Sequence, residues 1–236
     1  LVLDGEKLVG IFSERDYARK IMLHGKSSKE TLVREIMSDR VAYVTPATTL
    51  DECMALMTER RFRHLPVLSE AGEVLGGISI GDLVKETISN QQMIISELER
   101  MGDYAKGIAN INIRMGDEPL LKPLIDIPRM AQKGVDMLHR ALTAYINNDA
   151  ETAMTIPVED DEVDALYNQI YRELMVFVIE DPKNIERANW LLWVAHNLER
   201  FADRVTNICE RTVYIARGTF DEIKQSDDEF WKDQQK

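Results

Sequence analysis

The spacing of apolar residues changes near residue 82 and divides the chain into two parts. Before that point short apolar runs alternate with turns, which predicts alternating strands and helices, including a strand at Val41–Thr45. Beyond it the helical spacing predicts helices at about 82–115, 125–148, 152–179 and 184–217. The chain is expected to form an α/β domain at 1–90, an all-α up-and-down bundle at 91–225 and a frayed tail at 226–236.

Charge is divided unequally between these parts. The first 90 residues carry 12 basic and 14 acidic side chains, whereas the remainder carries 17 and 27. Acidic surface opposes nucleic-acid binding, which needs basic groups against phosphate, and it suits cations. No apolar run approaches the ~20 residues of a membrane span, and both cysteines fall in apolar segments typical of structural thiols in a reducing cytoplasm. We therefore expect a cytoplasmic protein that reaches a membrane only through a partner and binds no nucleic acid.

Two near-copies of one sequence, ELERMGD at 97–103 and NLERFAD at 197–203, lie 100 residues apart. Each carries two carboxylates four residues apart, namely Glu99 with Asp103 and Glu199 with Asp203. On a helix this spacing places both acids on one face, where like charges repel. A solvated face of an amphipathic helix is the simpler explanation. The duplication, and the lack of lysine at neutralising spacing along the second copy, favour a bound cation instead.

The second carboxylate stripe continues along the predicted helix, because Asn207 and Glu210 lie on the same side as Glu199. Carboxylate and amide oxygens favour Mg²⁺, Mn²⁺, Ca²⁺ or iron, and Zn²⁺ stays a candidate. We find no nucleophile paired with a base and no phosphate-cradling glycine loop, and the four histidines are scattered. The sequence does not predict an enzyme.

Two Ser-x-x-Asp motifs, Ser13 with Asp16 and Ser79 with Asp82, each follow a predicted strand and open a predicted helix. Helix capping explains the pattern, because serine and an acid three residues later satisfy free backbone amides. The aspartates would alternatively accept ribose hydroxyls while the helix N-terminus faces phosphate. Both explanations stay open.

The segments RHLPV at 63–67 and GGISIGD at 76–82 resemble those of a CBS-domain pair. The second motif, about 33–88, matches throughout, whereas only the last strands and helix of the first are present. The resemblance implies that AMP, ATP or NAD binds in clefts between the paired motifs. The residues implied at one site are Thr45, His64, Pro66, Ser79 and Asp82, and those at a second site are Ser13 and Asp16.

The stretch from Ile94 to about Glu222 resembles the PhoU family, accessory regulators of bacterial phosphate uptake. The resemblance rests on the two Glu/Asp-x-x-x-Asp motifs and on the segments 160–167 and 188–210. It implies two three-helix bundles, metal on the carboxylate motifs, and a homodimer that docks on a phosphate ABC transporter, its sensor kinase or both.

The CBS-like sequence occupies the place where two helices of the first bundle would lie, at about 25–79. That bundle therefore keeps only its last helix, and several apolar side chains there need cover: Ile94, Ile95, Leu98, Met101 and Ile108. Packing by the CBS-like half, helices from a partner chain, and a truncated or joined gene product all stay open.

The leading hypothesis is a metal-binding regulator of phosphate uptake and phosphate-starvation signalling, with adenine-nucleotide sensing as a further property. The alternative is a CBS-type nucleotide sensor whose helical part serves oligomerisation or docking. A helical interaction protein without a ligand is a third interpretation.

Overall fold

A computed structural model of the protein describes residues 1–218 and divides them into two compact units, Leu1–Ile88 and the residues from Ser89 onward. The predicted tail at 226–236 lies outside the described residues. No helix within 1–218 is long and apolar enough to cross a membrane.

The first unit contains two separate antiparallel sheets of two strands each, together with short helices. Its strands are β1 Val2–Asp4, β2 Lys7–Gly10, β3 His64–Leu68 and β4 Val74–Ser79, and its helices are α1 Glu14–Lys20, α2 Val33–Ile36 and α3 Leu50–Arg60. Its core comprises Val44, Cys53, Met57, Leu65 and Leu83.

Capping boxes fix the helix starts in this unit. Ser13 and Asp16 cap α1, and Thr49 caps α3 through the backbone N–H of Glu52. The same Ser-x-x-Asp bonding recurs where β4 ends, because the Ser79 hydroxyl donates to Asp82 at 2.7 Å. Both predicted motifs therefore act as helix caps.

The predicted strand at Val41–Thr45 is wrong, because only Val44 pairs there, in an isolated parallel bridge with Val67. The backbone N–H of Thr45 donates instead to the hydroxyl of Thr48 at 3.0 Å, and Pro46 has no N–H to offer a ladder. The chain turns at this point rather than continuing as a strand.

The second unit is a helix bundle. Its helices are α4 Ile80–Met115, which begins in the first unit, α5 Asp126–Ile146, α6 Ala150–Thr155, α7 Asp160–Glu180 and α8 Ile185–Arg217. α5, α7 and α8 form a three-helix bundle around a core that includes Met137, Ile170 and Ile208. The part of α4 from Ser89 packs on this core as the extra helix.

The helix predicted at 152–179 is two helices. Pro157, whose nitrogen carries no hydrogen, ends α6 and opens a short 3₁₀ turn over Pro157–Glu159, after which α7 starts at Asp160. This break sets where the acidic start of α7 lies. α4, in contrast, is continuous through Asn90 and Gly102.

The bundle covers one side of α4. Ile94 and Met101 are 5% and 3% exposed and belong to its core, and Leu98 packs against it, whereas Ile95 on the other side is 63% exposed. The three-helix bundle of α5, α7 and α8 therefore covers this face of α4. This source of cover was not among the three alternatives that the sequence left open.

Candidate metal site and nucleotide cavity

Four carboxylates of the second unit form one cluster, which we call the acidic cluster. Asp160 and Asp164 lie one turn apart at the start of α7, and Glu199 and Asp203 lie one turn apart on α8. The negative charges of Asp164, Asp203 and Glu199 all act on Asp160. The two helices therefore bring two carboxylate pairs to the same place.

Asp160 is the most buried member of the acidic cluster. It is 4% exposed, and burial together with the charges of Asp164, Asp203, Glu199 and Asp161 raises its pKa to about 7. Its Oδ1 has no hydrogen-bond partner within residues 1–218. A buried carboxylate oxygen without a donor is costly, so this atom is suited to a proton or a cation.

Neighbouring side chains partly offset the negative charge of Glu199 and Asp203 on α8. Burial and the charge of Asp203 raise the pKa of Glu199. Nδ1 of His196 lies 3.1 Å from Oε2 of Glu199, although that oxygen has no partner with hydrogen-bond geometry. Nη1 of Arg200 lies 2.9 Å from Oδ2 of Asp203.

The cluster is not a preformed cage, because no three Asp, Glu, His or Cys side chains within residues 1–218 converge as ligands of one ion. Asn207 donates from Nδ2 to Oε2 of Glu97 at 3.1 Å. Glu210 lies seven residues beyond Asp203, roughly 10 Å along α8. Glu199 and Asp203 therefore lie with the α7 acids, while the other two predicted ligands lie further along the helix.

The duplicate motif on α4 has a different environment. Glu99 and Asp103 are exposed, and Glu97 is the buried acid, 6% exposed. Its oxygens lie 3.4 Å from Nη1 of Arg100 and 3.6 Å from Nη1 of Arg204. The structure thus brings Glu97, rather than the predicted pair, against α8.

A cavity of about 450 Å³ lies in the first unit and is rich in arginine. Its polar lining residues are Ser13, Arg15, Asp16, Ser38, Arg40, Arg61, Arg63 and His64. Four guanidinium groups therefore accompany a single carboxylate. Hydrogen bonds from Ser13 lower the pKa of that carboxylate, Asp16, so it remains ionised.

The structure places some of the predicted nucleotide-binding residues in this cavity and the others outside it. Ser13, Asp16 and His64 share the arginine-rich cavity, whereas Thr45, Pro66, Ser79 and Asp82 are not part of its lining. Thr45 contacts Thr48, and Pro66 is buried in β3. Hydrogen bonds from Ser79 lower the pKa of Asp82.

Comparison with known proteins identifies both parts. Residues 127–212 match the PhoU domain and residues 33–89 match the CBS domain. A phosphate-specific transport system accessory protein PhoU homolog of Thermotoga maritima is 32% identical over 189 residues, which cover 80% of this chain and 73% of the relative. The chain belongs to the PhoU family.

The crystal structure of PhoU from Pseudomonas aeruginosa agrees with the helical fold. It matches with a TM-score of 0.55 and 27% identity, over 72% of this chain and 73% of that one. A PhoU homolog of Aquifex aeolicus is 42% identical over 125 residues, which cover 53% of this chain and 57% of the relative. The chain thus spans little more than half the length of that relative, and a CBS domain precedes its PhoU domain.

Sequence reasoning did not name Asp160 and Asp164 as ligands, although they have the same four-residue spacing as the duplicated motifs. Asp160 and Asp164 lie in the segment 160–167, which resembles the PhoU family but is not a copy of either heptapeptide. Their four-residue spacing on an amphipathic helix is the signal that identifies them.

Proposed function

We propose that this protein is a cytoplasmic regulator of phosphate transport, without enzymatic activity, that binds divalent metal through the acidic cluster. Membership of the PhoU family supports the regulatory role. Asp160 carries the metal proposal, because it is a buried carboxylate with an unpartnered oxygen among three other carboxylates. A bound cation would neutralise these charges and draw α7 and α8 together at one point.

The donor set favours a hard cation. Four carboxylates and no cysteine suit Mg²⁺ or Mn²⁺, and more than one iron ion is compatible with so many acids. Because no three ligands converge in the absence of metal, side-chain rotation must accompany binding. Affinity should rise with pH up to about 7, since Asp160 must lose its proton.

Isothermal titration with Mn²⁺, Mg²⁺ and iron(II) tests the metal site. We expect Glu199→Gln with Asp203→Asn to weaken binding by about tenfold or more, since it removes two charged ligands. The matched control is Glu99→Gln with Asp103→Asn, which makes the same change on the duplicate motif. We expect that control to bind as the parent does.

Equal binding by both double variants and the parent would overturn the acidic cluster as the metal site. Loss of binding in the control alone would assign the metal to α4 instead. Far-ultraviolet circular dichroism of each variant establishes that it is folded.

The regulatory proposal is tested by binding to membrane vesicles that contain the phosphate ABC transporter, and to the cytoplasmic part of the phosphate sensor kinase. We expect retention on at least one of them, above the level on vesicles without the transporter. No retention on either, with or without Mn²⁺, would contradict it.

The arginine-rich cavity favours a second function, the binding of an adenine nucleotide. Four arginines against one aspartate suit several phosphate charges, so we expect ATP to bind more tightly than AMP, with NAD between them.

Competition against a fluorescent ATP analogue tests this binding. Arg63→Ala should weaken ATP by about tenfold, the effect of losing one charge-assisted hydrogen bond. Arg60→Ala is the control, because Arg60 ends α3 outside the cavity lining. No saturable binding, or equal losses in both variants, would contradict the nucleotide site.

A further inference from the structure

The turn that follows α3 holds an arginine in a backbone conformation that favours glycine. Arg61 has a φ of 56° and a ψ of 36°, which lie in the left-handed region. Five glycines and Asn148 also have a positive φ, and Arg61 is the one residue with a positive φ within 1–218 that is neither glycine nor asparagine. Glycine has no Cβ to clash in this region and asparagine tolerates it, whereas arginine is strained there. The local backbone therefore favours glycine at this position.

Two backbone hydrogen bonds hold Arg61 in this conformation. The N–H of Arg61 donates to the carbonyl of Thr58 at 3.3 Å, and the N–H of Phe62 donates to the carbonyl of Met57 at 2.9 Å. Together they form a Schellman motif, which ends a helix at a left-handed residue and is usually built on glycine. Both bonds join backbone atoms, so they form with any residue that adopts the conformation. They explain why the chain turns here, but not why arginine occupies the turn.

The side chain of Arg61 supplies no contact within the protein that would offset this strain. It is exposed, and it makes no ion pair or hydrogen bond with any other residue of 1–218. It lines the arginine-rich cavity with Arg15, Arg40 and Arg63. Because like charges repel, a fourth guanidinium group at this cavity is unfavourable until an anion binds. Strain and repulsion thus meet at one residue, which is typical of a functional site.

We propose that Arg61 makes the cavity prefer a triphosphate to a monophosphate, and that its backbone strain lowers the stability of the first unit. This inference rests on the nucleotide binding proposed above. Four guanidinium groups and the carboxylate of Asp16 give the lining a net charge of +3, and without Arg61 the charge is +2. AMP carries about two negative charges and ATP about four. The other three arginines therefore match AMP, and Arg61 adds the charge that ATP uses.

Thermal unfolding of the full chain, without nucleotide and in EDTA, tests the strain. Arg61→Gly should raise the unfolding temperature of the first unit by about 4–8 °C, because glycine adopts the left-handed conformation freely. The matched control is Arg60→Gly, the same chemical change at the last residue of α3. That control should lower the unfolding temperature, because glycine is a poor helix former. Opposite shifts from the same change at neighbouring positions would identify the backbone conformation of Arg61 as the cause.

Competition of ATP and of AMP against a fluorescent ATP analogue, in EDTA so that ATP keeps its full charge, tests the preference. Arg61→Gly should weaken ATP about tenfold and AMP by about threefold or less, since one charge-assisted hydrogen bond to a phosphate is lost. Arg61→Lys keeps both the charge and the strain, so it should bind ATP within about threefold of the parent and unfold at the same temperature. Arg60→Gly should leave both affinities unchanged, because Arg60 does not line the cavity.

Equal binding of ATP by Arg61→Gly and the parent would overturn the inference and leave the nucleotide site itself in place. Equal losses of ATP and AMP would overturn the preference for a triphosphate. An unfolding temperature that Arg61→Gly lowers or leaves unchanged would show that the arginine does not strain the first unit. Failure of the parent to bind either nucleotide would contradict the proposed nucleotide site, and this inference with it.

Discussion

At the scale of single residues, Asp160 lies in an environment that is unfavourable for an ionised carboxylate. Its neighbours Asp164, Glu199 and Asp203 all carry the same charge, and burial removes the water that would screen them. A carboxyl held this way destabilises the fold whenever it is ionised and unbound. The destabilisation is a property that folding alone does not require, which is consistent with a ligand site.

Replacing Asp160 with Asn should therefore stabilise the metal-free protein above about pH 7. The folded pKa of about 7 exceeds the ordinary value of 3.8, so the folded state holds more protons between these values and its stability falls as pH rises through that window. The variant lacks this fall. Urea unfolding in EDTA should show a gain on the order of 1–2 kcal/mol at pH 8, after allowance for water and relaxation, and none near pH 4.

The control for this measurement is Asp117→Asn, a change of the same kind at an exposed loop residue. A gain that is equal at pH 4 and pH 8 would contradict the assigned cause. Added Mn²⁺ should reverse the order, stabilising the parent more than the Asp160 variant.

At the scale of elements, the sequence predicted which segments are helical better than it predicted where they end or turn. The capping motifs at Ser13 and Ser79 were visible because a cap depends on local spacing alone. Pro157 was equally visible and should have ended the predicted helix there. The strand predicted at Val41–Thr45 does not form, because the backbone N–H of Thr45 donates to the side chain of Thr48. The spacing of apolar residues gives no sign of such a bond.

The rotation of α4 could not be read from its sequence. Glu97 and Glu99 both lie among apolar residues, and either could face inward on a helix with apolar groups on two sides. The contacts of Glu97 with Arg204 and Asn207 of α8 decide the matter, and these residues are more than 100 positions away. The predicted pair Glu99 and Asp103 consequently lies on the exposed surface of α4.

At the scale of the whole molecule, the two candidate sites lie in different units. Every residue that lines the arginine-rich cavity falls within Leu1–Ile88, and every member of the acidic cluster falls after Ser89. The units also differ in kind, since the first joins small sheets to short helices and the second is a helix bundle with its own core. A nucleotide should therefore stabilise the first unit against unfolding, and a metal ion should stabilise the second.

Differential scanning calorimetry should accordingly show two transitions, each raised by one ligand. A ligand at a hundredfold excess over its Kd adds about 2.7 kcal/mol to the unit that binds it. That gain corresponds to roughly 10–20 °C for a unit of fewer than 100 residues and roughly 5–10 °C for a larger one. ATP should move only the transition of the first unit and Mn²⁺ only that of the second. At the same ligand concentrations, a tenfold loss of affinity in Arg63→Ala or in the Glu199 and Asp203 double variant should reduce the respective shift by about half. A single transition raised by either ligand would contradict independent units, because binding at one site would then stabilise the residues of the other.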